Sequence, residues 1–155
     1  MIKVIVKFAF QLDAKIALNP EFVVEKAGRY FLLNEVLLKF AQKNFYYAGG
    51  YLGKVKNGKF FPSLNLLSML AKGKANKIVV EKKAAWLFIC GRDIFRKGIL
   101  SVHCSRKRGN YVLVLNEFGD CLGFGRIVLG FDGGARNEVV VRNISDVGDF
   151  LRREN

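Results

Sequence analysis

Histidine is almost missing from this chain: 155 residues hold one, His103. That removes the side chain that most often moves protons near neutral pH. His103 has Cys104 beside it and Ser101 two residues back. An extended strand turns adjacent side chains to opposite faces, so this spacing makes no catalytic triad. Cysteine is scarce as well. Cys90, Cys104 and Cys121 are odd in number and far apart, which excludes a disulfide framework and a zinc pair of the Cys-x-x-Cys kind. Each lies in or beside an apolar stretch and is expected to be a buried thiol; no metal or cofactor is expected. Long apolar runs are lacking too. Stretches such as 84–90 fall far short of the roughly 20 residues that span a bilayer. Residues 1–7 carry no signal-peptide apolar region, so cytoplasmic residence without a membrane partner is the expectation.

What the chain has is positive charge: 26 Lys and Arg against 13 Asp and Glu, a formal +13. Such a field captures polyanions and speeds their encounter. With acid–base residues so few, the balance points to nucleic-acid binding rather than catalysis or a small-molecule substrate. The chain is 51% hydrophobic and 25% charged, enough to bury a sizeable core.

The style of basic residue divides the chain near the loop 72–77. Residues 1–75 hold eleven lysines and one arginine, Arg29, while residues 76–155 hold five lysines and nine arginines. This places a domain boundary there, with domains at 1–75 and 76–155. In the first, residues 2–7 alternate lysine with branched residues like a strand, and 28–33 reads as another. A helix capped at Asn34 follows, with Val36, Leu37, Phe40 and Ala41 on one face. Residues 51–61 form a hairpin at Asn57-Gly58. Pro62-Ser63 opens a second helix, with Leu64, Leu67 and Leu70 packing inward and Gly73 ending it.

The second domain is richer in strands. Residues 77–81 and 84–90 read as a hairpin about Lys82-Lys83, then a short helix at 92–97. Strands recur at 99–104, 111–116, 121–129 and 138–141, a spacing that suggests a small barrel. A last helix begins at the N-cap Ser145, with Val147, Phe150 and Leu151 expected to bury.

Two glycine motifs fail as nucleotide loops. Gly50-Tyr51-Leu52-Gly53-Lys54-Val55 has Ala48 where a phosphate loop needs Gly, and Val55 where it needs Ser or Thr. Gly123-Phe124-Gly125 runs on into strand-like residues, whereas a dinucleotide fingerprint opens a helix; glycines there mark close backbone approach in a tight barrel. Three clusters remain that could grip phosphate. They are Arg92, Arg96 and Lys97 on the expected short helix, Arg106-Lys107-Arg108 in a loop, and Arg152-Arg153 at the C-terminal end. Arginine's planar fork pairs with phosphate and stacks on bases, so the main contact is expected within 76–155, as a fragment that binds by itself. Of the twelve aromatics in 1–75, Phe40 and most others fall at core-facing positions.

From Ala84 onward, Gly91-Arg92-Asp93-Ile94-Phe95-Arg96-Lys97-Gly98-Ile99, Asn110-Tyr111-Val112-Leu113-Val114-Leu115 and Leu122-Gly123-Phe124-Gly125 together resemble a PUA domain. The ending Asp146-Val147-Gly148-Asp149-Phe150-Leu151-Arg152-Arg153-Glu154 resembles the terminal helix of the Nip-seven family of ribosome-biogenesis factors, in its archaeal form. In the first domain, Arg29-Tyr30-Phe31-Leu32, Gly50-Tyr51-Leu52-Gly53-Lys54-Val55 and Lys59-Phe60-Phe61-Pro62-Ser63-Leu64 resemble that family too. Residues 2–7 depart from it, since its long first helix is not evident there. The resemblance implies an α+β chain: a small α/β N-terminal domain and a PUA-like β pseudobarrel. It implies a non-enzymatic RNA-binding protein that assists pre-rRNA processing and large ribosomal subunit assembly, with other assembly factors as partners. Arg152 and Arg153 are the positions that match its basic terminal helix. An accessory protein for a tRNA- or rRNA-modifying enzyme is the alternative. Replacing both arginines with Ala is expected to weaken RNA binding and leave the melting temperature nearly unchanged.

Overall fold

A computed structural model of the chain describes residues 2–40, 48–104 and 108–152. The first segment is helical, not extended: α1 spans Lys3–Gln11. Ile5, Phe8, Ala9 and Leu12 recur at spacings of three and four and are all buried, while Lys3 and Lys7 stay exposed. Six residues of Lys–Val alternation are too few to separate a period of two from one of 3.6, and packing of this apolar stripe decides the matter. A first helix is therefore present after all.

Four strands follow: β1 (Val23–Lys26), β2 (Arg29–Leu32), β3 (Gly50–Lys56) and β4 (Lys59–Pro62), forming an antiparallel sheet in that order. The β3–β4 turn has Asn57 and Gly58 at φ +52° and +71°, the left-handed pair that a two-residue hairpin requires. Between β2 and β3, α2 (Glu35–Leu38) starts where Asn34 Oδ1 accepts the Leu37 N–H at 2.8 Å. Its expected inward face does not hold: Val36 and Phe40 are 63% and 52% exposed, and Ala41 lies outside the described residues. The second expected helix is present as α3 (Leu64–Lys72), capped by Ser63 Oγ on the Leu66 N–H and ended by Gly73.

The C-terminal half contains β5 (Lys77–Val80), α4 (Lys82–Ile89), β6 (Ile94–Phe95), β7 (Ile99–His103), β8 (Tyr111–Leu115), β9 (Cys121–Ile127), β10 (Val139–Asp146) and α5 (Val147–Arg152). Its six strands form one curled sheet, ordered β6-β10-β9-β8-β5-β7, with β5–β8 the parallel pair. Four expectations are corrected here. Residues 84–89 belong to helix α4 and Cys90 is its C-cap, since a short all-apolar run carries no period that separates strand from helix. Residues 92–97 are not a helix but a loop, the strand β6 and the start of a 3-10 turn at Arg96–Gly98. β10 runs on to Asp146, so Ser145 lies in a strand and Asp146 caps α5, its Oδ1 accepting the Asp149 N–H at 2.8 Å. Leu151, expected to bury, is 68% exposed, while Phe150 packs against the core.

Two cores meet across β8. Val112 and Val114 face a core within the curled sheet, with Ile78, Phe88, Ile127 and Val141. Leu113 and Leu115 face the opposite way, into a core shared with α1, α3 and the first sheet. Both faces of β8 are thus covered, which is why it reads as an unbroken apolar run. Gly123 sits where a Cβ would collide with the Ser145 carbonyl, so the glycines of 123–125 serve the close β9–β10 approach. Of the cysteines, Cys121 is buried as expected, Cys104 is half-buried and Cys90 is exposed.

Candidate nucleic-acid interface

The shared core ends in an aromatic seam. Phe8 of α1 stacks edge-on to Phe60 of β4 at 5.7 Å and to Phe124 of β9 at 5.2 Å. Tyr111 of β8 closes the group, 5.2 Å from Phe124. Two clefts open along this seam, of about 350 and 410 Å³, with Gln11 and Tyr111 in the walls of both. Lys7 and Lys59 line the first; Phe10, Asp13, Asn110 and Arg126 line the second. The result is a groove between the two halves with aromatic walls and cationic ends.

Strand register puts a row of side chains beside it. Tyr111 pairs with Arg126, and Arg126 with Arg142, across β8, β9 and β10. Directly opposed residues project to the same face, so two exposed arginines stand side by side. Like charges in that relation destabilise a sheet, and among the described residues neither has a carboxylate against it. The Arg126 guanidinium carbon lies 5.3 Å from the Tyr111 ring centre, and Nη2 donates to the Tyr111 hydroxyl at 3.3 Å. That contact fixes the plane of the fork and leaves its remaining donors for an anion.

None of the described residues expected from sequence lines either cleft. Arg96 is committed elsewhere: its guanidinium donates to the carbonyls of Gly130 and Ala135 and pairs with Glu138 at 3.1 Å, pinning the 130–138 loop. Its side chain is only 14% exposed, so it makes a poor phosphate contact. Lys97 is exposed, 6.0 Å from the Phe95 ring centre. Arg152 and Arg92 come to one end of α4, where Arg152 donates to the Ile89 carbonyl and lies against Gly91. Arg152 also pairs with the buried carboxylate of Asp146 at 3.4 Å. That carboxylate further accepts from the Asn143 side-chain amide and the Asp149 N–H. Arg108 is exposed just before Gly109 and Asn110, which line the larger cleft. Arg106, Lys107 and Arg153 lie outside the described residues.

Sequence reasoning passed over Arg126 and Arg142 because each is isolated in the chain. The available signal was a lone cation following apolar residues in each strand, in Cys121–Ile127 and in Val139–Asp146. Among the described residues, no group of three His, Cys, Asp or Glu could hold a metal ion, and no helix is long and apolar enough to cross a membrane.

The curled six-stranded sheet with its helices defines a PUA-domain protein. It superposes on a conserved PUA domain protein of Thermoplasma acidophilum with a TM-score of 0.60 at 21% identity, over 85% of this chain and 79% of that one. A hypothetical protein of Pyrococcus horikoshii OT3 gives 0.57 at 18% identity, over 85% and 77%. Residues 76–155 match the model of the UPF0113 PUA domain, and a UPF0113 protein of Archaeoglobus fulgidus is 31% identical over 133 residues, 84% of this chain and 75% of that protein. The chain belongs to the UPF0113 PUA domain family.

Proposed function

We propose that this protein is a non-enzymatic RNA-binding factor that assists pre-rRNA processing and large ribosomal subunit assembly in the cytoplasm. The observation that carries the RNA part is the opposed pair Arg126 and Arg142, two cations set side by side without a carboxylate among the described residues. A sheet tolerates that repulsion most readily when an anion is meant to lie over it. The net charge of +13 gives the same partner from the whole molecule. The ribosomal part rests on the Nip-seven-like motifs spread through residues 25–154 and on the PUA-domain family.

Crosslinking in cells, followed by sequencing of the bound RNA and identification of co-purified proteins, tests the proposal. Pre-rRNA recovered with assembly factors is the expected result. Recovery of tRNA together with a modifying enzyme would replace this reading with the accessory-protein one.

A further inference from the structure

We infer that the larger cleft is a pocket for one unpaired nucleotide, so that the protein selects single-stranded over double-stranded RNA. The inference rests on the RNA-binding reading and goes beyond it by naming the form of RNA and the residues that read it. Phe10 is the first observation. It is the next-to-last residue of α1, 81% exposed, and it stands in the wall of a cleft of about 410 Å³. An exposed phenylalanine contributes nothing to the core, and on a cationic surface its flat face suits a base. Arg126 in the same cleft holds its fork in plane against Tyr111, with Arg142 next to it outside. A phosphate over Arg126 and Arg142 leaves the attached base free to enter between Phe10 and Tyr111.

The polar groups of the cleft fit a base edge. Neither Gln11 nor Asn110 has a side-chain hydrogen-bond partner among the described residues, and each amide offers a donor and an acceptor. Asp13 adds a carboxylate in a costly place. Its φ is +50°, in the left-handed region where glycine is the usual residue. There its N–H donates to the Phe10 carbonyl and that of Ala14 to the Ala9 carbonyl, closing the end of α1. A negative charge at a helix C-terminus opposes the dipole. Acceptor chemistry in the cleft, toward a base amino group or a 2′-hydroxyl, accounts for an acid at a position that favours Gly or Asn. A duplex keeps its bases stacked and paired, and cannot deliver one into a cleft of this size.

Fluorescence anisotropy with a labelled ten-nucleotide single-stranded RNA, and with the same strand annealed to its complement, tests this on the full chain. The wild type is expected to bind the single strand about tenfold or more tightly than the duplex. Phe10→Ala is expected to weaken single-strand binding by about tenfold, within the range for loss of one stacked base, and leave duplex binding and melting temperature unchanged. Phe10→Trp should restore binding and Phe10→Leu should not, which separates stacking from apolar contact. Arg126→Gln should lower the log–log salt slope by about 0.7. Wild-type RNA binding that is indifferent to Phe10→Ala, or equal for single strand and duplex, overturns the pocket alone. No binding of either RNA by the wild type overturns the RNA reading, and the pocket with it.

Discussion

The arginines of the C-terminal half divide by what their guanidinium groups touch. Arg96 holds a loop by three contacts, and Arg152 neutralises the buried Asp146, whereas Arg126 and Arg142 face outward. Arg152→Ala is therefore expected to cost stability, contrary to the expectation from sequence. Its side chain is 53% exposed, so solvent already screens the pair; Asp146 also keeps its Asn143 and Asp149 donors. A loss of about 1 kcal/mol follows, a fall in Tm of about 3 °C, while Lys97→Ala at an exposed position leaves Tm unchanged. Thermal melts of the two variants check this. Burial pushes the Cys121 thiol up to about 11, against the partial offset of a backbone hydrogen bond from Gly123. The folded state holds that proton while the unfolded thiol loses it near its usual pKa of 9.0. Stability from this group is thus complete below about pH 9 and lost as pH rises toward 11. The comparison to make is Tm against pH for the wild type and Cys121→Ala, the variant showing the smaller decline across that window.

At the scale of elements, α5 depends on the absence of one side chain. Gly148 lies so close to the end of α4 that a Cβ would collide with the Ile89 carbonyl and come within 3.0 Å of Asp146 Oδ1. Gly148→Ala should lift α5 away and open the Asp146 network to water, costing about 2 kcal/mol. Hydrogen exchange would show the change as lost protection over residues 143–152, with α1 and α3 unaffected. Local signals located several elements well: the Asn34 and Ser63 caps and the Asn57-Gly58 turn each depend on side chains within three residues. They failed for α4 and the 92–97 segment, where long-range pairing decides. Ile94 joins the sheet edge through Val141, 47 positions further along, and no window of sequence contains that partner.

For the whole molecule, the join near residue 75 is not a gap between independent cores. Leu113, Leu115, Cys121 and Phe124 from the C-terminal half bury against α1, α3 and the first sheet. A fragment of residues 76–155 would expose all four. It is expected to lack a cooperative melt and to bind a hydrophobic dye, whereas the full chain unfolds in a single transition. Calorimetry of both decides it, and a cooperative fragment would contradict the shared core. The groove is a product of the same packing, because its walls come from α1, the β3–β4 hairpin and strands β8 to β10.

Charge, the shortage of proton-moving residues, the caps and turns, and the PUA-like motifs were all determined by the sequence alone, because each depends on composition or on neighbours a few positions apart. The identity of the exposed cations was decided only by the tertiary structure. Clustering in sequence singled out Arg96 and Arg152, yet folding turned the first inward and set the second against a buried acid. Arg126 and Arg142, sixteen positions apart and unremarked as a pair, became neighbours through antiparallel register. Register is set by which faces of β8, β9 and β10 must be buried, and that is a property of the assembled sheet rather than of any single strand.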